Sequence, residues 1–229
     1  MLGVTYKTVR KHLVFVGKQA KITLQNQRSK MPPVTAMQFD ELETIEHTKL
    51  KPLSLAVAVE KDTQRILGVT VARMPAKGKI AKLSRKKYGP RADERPAKLR
   101  ELIAELAPHI GKNSCIETDQ LATYPPMFKT LCPTATHCTY KGQPSTIAGQ
   151  GELKKGGFDP LFDINHTLAM CRANINRLIR RSWCTTKDPD RLLDHAMVFA
   201  WAHNNGITSN KPCHKHAMLV RQLVTACSK

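Results

Sequence analysis

Three apolar runs rich in β-branched residues follow one another early in the chain, at residues 36–46, 53–60 and 65–74. The four residues Lys-Asp-Thr-Gln, 61–64, separate the last two runs and have the composition of a hairpin turn. We therefore expect three consecutive antiparallel strands. A sheet that begins in this way restricts the possible folds more than any other feature of the sequence.

The rest of the chain alternates helical and extended patterns. Leu99, Ile103 and Leu106 share one face of an amphipathic helix predicted over 96–110. After it we expect a strand, a short helix, a strand and two long helices, with the strands at 114–120 and 135–140 and the long helices at about 164–182 and 188–204. This order predicts an α/β fold of the ribonuclease H-like type, a mixed sheet with helices on both faces.

Residues 3–13 have helical spacing, with apolar residues on one side and basic residues toward the other. The basic residues are Lys7, Arg10 and Lys11. Such a helix is typical of the second helix of a helix-turn-helix, which enters the major groove; a stand-alone surface helix is the alternative. A polar, Pro-rich linker is predicted at 26–35. We therefore expect a partial helix-turn-helix over 1–30, a ribonuclease H-like domain over 31–209 and a C-terminal tail over 210–229.

The charge of the chain is strongly unbalanced. Lys and Arg number 37 against 18 acids, which gives a formal net charge of +19. Ten of the basic residues lie in 76–100, where we expect phosphate contacts with DNA; a solvated loop is the alternative. Such an excess predicts attraction to a polyanion. No apolar run approaches the roughly 20 residues of a membrane span, and the start lacks the features of a signal peptide. Nucleic acid is therefore favoured over acidic proteins or lipid surfaces.

The seven cysteines are scattered, their number is odd, and none forms a Cys-x-x-Cys pair. This usage favours reduced thiols in a cytoplasm over a disulfide framework. Two Cys/His groups contain residue types that could hold zinc: Cys213 with His214 and His216, and Cys132 with His137 and Cys138. Neither has the regular paired spacing of a structural zinc module, so we expect no zinc there.

Two acids lie where the predicted topology places neighbouring strands side by side. Asp40 is in the middle of the first strand, and Asp119 is at the end of the fourth. Two carboxylates held together repel unless divalent cations lie between them, and oxygen ligands suit Mg²⁺ or Mn²⁺. A pair of such ions can activate water and stabilise the leaving 3′ oxygen of a phosphodiester. The alternative for Asp40 is a solvated residue on an exposed face.

Three segments together resemble the transposases of the insertion-sequence-one family, within the DDE transposase superfamily. They are "FDELET" at 39–44, "ETDQLATY" at 117–124 and "NHTLAMCRANINRLIRRSWCTTK" at 165–187. The resemblance implies metal-dependent DNA strand cleavage and strand transfer at the ends of an insertion sequence. It also implies terminal inverted repeats and target DNA as partners, a homo-oligomer on DNA, and a bacterial cytoplasmic, nucleoid-associated location.

The family's third catalytic acid is a Glu on the first turn of the basic helix. Ungapped alignment from Arg172 places Asn165 at that position, with His166 next and Asp163 two residues earlier. The amide oxygen of Asn165 is a weak ligand, and a neutral His166 can bind a metal or accept a proton from water. Asp163 is chemically the strongest ligand of the three. Alternatively, Asn165 caps the helix and His166 is a packed or surface histidine.

The third segment also carries a predicted DNA-binding stripe. Arg172, Asn176 and Arg180 are spaced by four and would share one helix face, and Arg177 and Arg181 flank them. Next to a metal site, such a stripe would grip phosphates. A solvated helix face is the alternative.

Two other functions are alternatives to the enzyme. A catalytically decayed transposase that only binds DNA is favoured by the missing Glu. A basic ribonucleoprotein component would explain the charge but has no need of two paired acids.

Overall fold

The computed structural model describes residues 3–142, 158–179 and 184–206. Its centre is a five-stranded mixed sheet in the order β3-β2-β1-β4-β5. The strands are β1 (Val34–Glu46), β2 (Thr48–Glu60), β3 (Ile66–Arg73), β4 (Ile110–Asp119) and β5 (Thr136–Tyr140). β1, β2 and β3 pair antiparallel, whereas β4 runs parallel to β1 and β5 parallel to β4. The three predicted antiparallel strands are therefore confirmed.

Helices cover both faces of this sheet. They are α1 (Tyr6–Ser29), α2 (Ala81–Tyr88), α3 (Arg95–Leu106), α4 (Tyr124–Leu131), α5 (Phe162–Asn174) and α6 (Pro189–Asn204). One buried cluster joins the sheet to α1, α5 and α6, and a second joins the opposite face to α3 and α4. The strand order and the two helical layers are consistent with a ribonuclease H-like fold. None of the helices in the described ranges is long and apolar enough to cross a membrane.

The N-terminal region differs from its prediction. The helix expected over 3–13 is the start of α1, which continues to Ser29 and takes in part of the predicted linker. It begins at Thr5, whose hydroxyl accepts a hydrogen bond from the Thr8 amide at 3.2 Å. α1 packs along α6 so closely at Gly17 that an added Cβ would lie 2.7 Å from the Asp194 side chain. The partial helix-turn-helix is not shown, because one packed face continues along α1 without a turn; its buried residues are Gly17, Ala20, Leu24 and Arg28.

Two side chains bond to the main chain at the β3 edge of the sheet. The Asn204 carboxamide accepts from the Ile66 amide and donates to the Ile66 carbonyl, each at 2.9 Å. Arg28 on α1 donates to the Leu67 carbonyl at 2.5 Å. Arg28 also pairs with Glu105 on α3, so one guanidinium ties both helical layers to this edge.

The long helix predicted over 164–182 is wrong at its end. α5 stops at Asn174, Ile175 is extended, and a 3-10 turn follows at Asn176–Leu178. Ile175 and Leu178 are only 5% and 2% exposed, so the chain changes direction to bury both. Asn176 consequently does not extend the α5 face that carries Arg172.

The alternative of a solvated loop within 76–100 is also wrong. A 3-10 turn at Gly78–Ile80 leads into α2, which ends at Gly89 with a positive φ of 75°. α3 begins at Arg95 and ends at Leu106, shorter than its predicted span because Pro108 lies in a further 3-10 turn.

Candidate active site

The sheet brings the two predicted acids onto neighbouring strands. Phe39 of β1 pairs with Thr118 of β4, so Asp40 and Asp119 come one residue later on each parallel strand. Alternation along a strand turns both side chains to the same face. That face carries α5, because Leu42, two residues beyond Asp40, packs in the cluster that contains α5. Both acids are half-buried.

Local hydrogen bonds hold each carboxylate. Asp40 Oδ1 accepts from the Glu41 amide at 2.7 Å, and Asp119 Oδ1 accepts from the Leu121 amide at 3.0 Å. Burial raises the pKa of the Tyr124 phenol, and the negative charge of Glu41 raises it further. Asp40 and Asp119 act on the same phenol in the same direction. The end of β4 and the middle of β1 therefore form one negatively charged region.

Another acid of β1, Glu41, faces the other side of the sheet. Glu41 accepts hydrogen bonds from the Tyr124 hydroxyl at 2.9 Å and from the Ser54 hydroxyl. It lies at a cleft of about 750 Å³ between α3 and α4, whose walls include Leu99 and Met127. The sequence did not predict that Glu41 lies at this cleft, although strand alternation places it on the face of the sheet opposite to that of Asp40.

A buried polar network lies one pleat before the two acids. Gln38 pairs in register with Glu117, and its amide donates to the Glu117 carboxylate at 2.8 Å. Lys61, in the turn after β2, donates to the other carboxylate oxygen at 2.7 Å, and Tyr140 is 3.4 Å from it. The Glu117 side chain is only 4% exposed, so Lys61 neutralises an otherwise costly buried charge.

The same network fixes the start of α5. The Gln38 amide nitrogen also donates to the Pro160 carbonyl at 2.8 Å, and its oxygen accepts from the Ile164 amide at 3.0 Å. The first turn of α5 is thus bonded to the strand that carries Asp40. Sequence reasoning missed Gln38, Glu117 and Lys61 as a group, because their contacts span 56 to 79 residues.

The three candidates for the third catalytic position have other partners. Asn165, in the first turn of α5, donates to the Asp159 carboxylate at 2.7 Å. Asp163 accepts from the Asp62 amide at 2.9 Å, at the turn between β2 and β3. His166 lies 2.9 Å from Gln64 in that turn and stacks on Phe162. Within the described ranges, no three His, Cys, Asp or Glu side chains form a group able to hold a metal ion.

The acid pair alone still fits a magnesium ion. Mg²⁺ keeps several waters and is bound by one or two carboxylates together with substrate phosphates. Asp40 and Asp119 supply two hard oxygen donors on one face, and each is backed by a main-chain amide. The donor set therefore suits Mg²⁺ or Mn²⁺ and lacks the nitrogen and sulfur ligands that zinc prefers.

The predicted DNA-binding residues do not form one stripe. On α1, Lys7, Arg10 and Lys11 are exposed, and Arg10 pairs with Asp188 at 3.3 Å. Arg172 donates to the carbonyls of Leu178 and Glu43, at 3.3 and 3.1 Å.

The other members of the stripe are separated from Arg172 by the end of α5. Asn176 is exposed and Arg177 is half-buried, beyond the helix. Burial lowers the pKa of His195, and the charge of Arg177 lowers it further. Arg180 and Arg181 lie outside the described residues, as do Cys213, His214 and His216.

Comparison with known proteins found little. No protein-family model matches the chain, and no curated protein does. The crystal structure of the catalytic domain of Mos1 mariner transposase aligns with a TM-score of 0.26 and 11% identity, over 86% of this chain and 94% of that one. A pre-cleavage Mos1 transpososome aligns with a TM-score of 0.25 and 10% identity, over 88% and 64%. Values this low establish neither a shared fold nor a shared function.

Proposed function

We propose that the protein is a DDE-type transposase that cleaves DNA strands and transfers them at the ends of an insertion sequence. The observation that carries this proposal is the placement of Asp40 and Asp119 on adjacent parallel strands and on one face of the sheet. The three segments that resemble the insertion-sequence-one family and the net charge of +19 support the same function.

Each part of the site has a role in this proposal. Asp40 and Asp119 hold the divalent ions, and the Gln38–Glu117 network keeps α5 against their strands. When bound, the ions lower the pKa of water and stabilise the leaving 3′ oxygen. Asn165, His166 and Asp163 remain the candidates for the third position.

The enzyme is tested by removing one carboxylate charge. Asp40→Asn should lower strand cleavage by at least roughly a thousandfold, since losing a catalytic metal removes several kcal/mol of transition-state stabilisation. DNA binding, measured by fluorescence anisotropy, should stay near the wild-type value. Asp190→Asn, at an exposed acid on α6, is the matched control and should cleave normally. Equal activities of the Asp40 and Asp190 variants would refute the assignment.

A second candidate is a decayed transposase that binds DNA without cleaving it. The observation that favours it is Asn165, bonded to Asp159 where the family has a catalytic Glu. Calorimetry separates the two functions: the enzyme should bind Mn²⁺, and the Asp40→Ala/Asp119→Ala variant should not. Asn165→Glu should raise cleavage if that position is vacant, and His166→Ala should abolish it if the imidazole is a ligand or base. A wild type that binds DNA but not Mn²⁺ indicates the decayed form.

The division of the chain belongs to the same proposal. We place DNA-end recognition in residues 1–30, catalysis in 31–209 and a tail in 210–229, in a homo-oligomer on nucleoid DNA. Replacing Lys7 and Arg10 with Gln should reduce preference for the element's ends in a competition assay, because a helix in the major groove reads bases. A loss that is equal for all sequences would assign these residues to phosphate contact instead.

A further inference from the structure

α2 buries so little of its surface that packing on the protein contributes little to its stability as a helix. Of its eight residues only Ser84 is buried, and its hydroxyl donates to the Leu50 carbonyl of β2 at 2.7 Å. Leu83 is 54% exposed. Isolated helices of this length are marginal in water, and packing on the protein stabilises most short helices. α2 has little such packing.

The charge of this segment is of one sign. Residues 76–92 contain no acid. The basic side chains of α2 and the turn before it, here called the α2 surface, are Lys79, Lys82, Arg85, Lys86 and Lys87. No carboxylate of the described ranges pairs with any of the five, whereas the neighbouring Lys77 pairs with Glu43 at 2.9 Å. Like charges at this spacing repel, and a bound polyanion would offset that cost.

The position of α2 relates it to the acid pair. Leu50, on which α2 docks, lies at the hairpin end of β1 and β2, close to the Ile45–Pro52 pair. From Asp40 to Ile45 is five steps along β1, which at about 3.3 Å each is about 17 Å. Duplex DNA rises about 3.4 Å per base pair, so this length corresponds to about five base pairs.

We propose that the α2 surface binds the phosphates of duplex DNA about half a helical turn from the phosphate held at Asp40 and Asp119. The choice of DNA as the polyanion rests on the proposed function. A lipid surface fits less well, because a membrane-binding helix needs a broad apolar face, whereas the exposed large apolar side chains of this segment are three, Ile80, Leu83 and Tyr88, against five basic ones. Contacts of this kind position the duplex and carry no base preference.

The test compares two variants with the same loss of charge. In the first, Lys82, Arg85, Lys86 and Lys87 are all replaced by Gln. In the control, four exposed basic residues outside α2 and outside residues 1–30 are replaced by Gln: Arg100, Lys112, Lys129 and Lys187. Affinity for a 30-base-pair duplex is measured by anisotropy over a series of salt concentrations. The α2 variant should lose at least about 1.8 from the slope of log affinity against log salt, which is two phosphate contacts.

Each outcome decides the proposal. A smaller slope for the α2 variant, with the control unchanged, supports it. Equal losses in both variants overturn it, because net charge alone then explains binding, and so does a wild-type slope in the α2 variant. Replacing Lys82, Lys86 and Lys87 with Arg keeps the charge and should keep the slope, which separates lost contacts from an unfolded helix. Binding of anionic vesicles that depends on the α2 surface, without a DNA effect, also overturns it.

Failure of the proposed function is distinguishable from failure of this proposal. A wild-type slope near zero would remove DNA as the polyanion before any variant is compared, whereas a steep slope without strand cleavage would leave the α2 contact intact and remove only the enzyme activity. A duplex series adds a geometric check: the difference between wild type and the α2 variant should vanish when fewer than about five base pairs flank the cleaved phosphate on one side. A difference that does not depend on flank length places the contact elsewhere and overturns the proposed position.

Discussion

Removing the ammonium of Lys61 tests whether the buried Glu117 carboxylate depends on it. The Glu117 side chain is 4% exposed and the Lys61 side chain 35% exposed. Breaking a buried ion pair from one side costs about 3–5 kcal/mol. In the Lys61→Met variant Gln38 still donates to the carboxylate, and the position of residue 61 is partly open to water. We therefore expect Lys61→Met to lower the free energy of unfolding by about 2 kcal/mol, less than for a fully buried pair.

Urea denaturation followed by circular dichroism measures this loss. With a slope of about 2 kcal/mol per molar urea, the midpoint should fall by about 1 M. Adding Glu117→Gln to the Lys61→Met variant should recover most of the stability, because a neutral amide needs no cation. A midpoint within about 0.2 M of wild type for the single variant would refute the reasoning, as would a double variant no more stable than the single one.

The same ion pair predicts a dependence on alkaline pH. The hydrogen bond to Glu117 raises the pKa of Lys61 above its ordinary value of 10.5. The unfolded chain therefore loses this proton at a lower pH than the folded chain. The ion pair makes its full contribution to the free energy of unfolding below about pH 10.5. It is lost as pH rises through the folded value. Wild-type stability should consequently fall more steeply than that of Lys61→Met above this pH.

Three further changes have expected outcomes. Gly17→Ala should lower the free energy of unfolding by about 1–3 kcal/mol in urea, because the new methyl overlaps α6, while Gly142→Ala, in open space, should be neutral. Arg172→Ala should cost about 1–2 kcal/mol by the same assay, since two carbonyls lose their donor. Burial lowers the pKa of His195 and of His203 below 6.5, so the unfolded chain binds protons first. The melting temperature should therefore fall as pH drops below about 6.5. The fall should be smaller in the variant in which His195 and His203 are both replaced by Gln.

The strands could be predicted because their side chains and turns carry a local signal. β1, β2 and β3 are rich in β-branched residues, and the turn at 61–64 is short and polar. The register of β1 and β4, which makes neighbours of Asp40 and Asp119, followed from the strand order.

The rest depended on contacts distant in sequence. α1 buries Gly17, Ala20 and Arg28, which do not read as an apolar stripe, so its length was missed. The four-residue spacing of Arg172 and Asn176 favoured a continuous helix, but the burial of Ile175 and Leu178 ended it. Burial of Glu117 followed from partners on other strands, which no local pattern shows.

The two side chains that bond to the main chain of β3 also affect whether the sheet can pair with another copy of the chain. Asn204 bonds to Ile66 with one donor and one acceptor, as a residue of a sixth strand would. An incoming strand at that edge has to displace it, and Arg28 as well. Asn204 and Arg28 therefore act against strand addition at β3, and Asn204→Leu should leave the Ile66 amide and carbonyl open to a strand of another molecule.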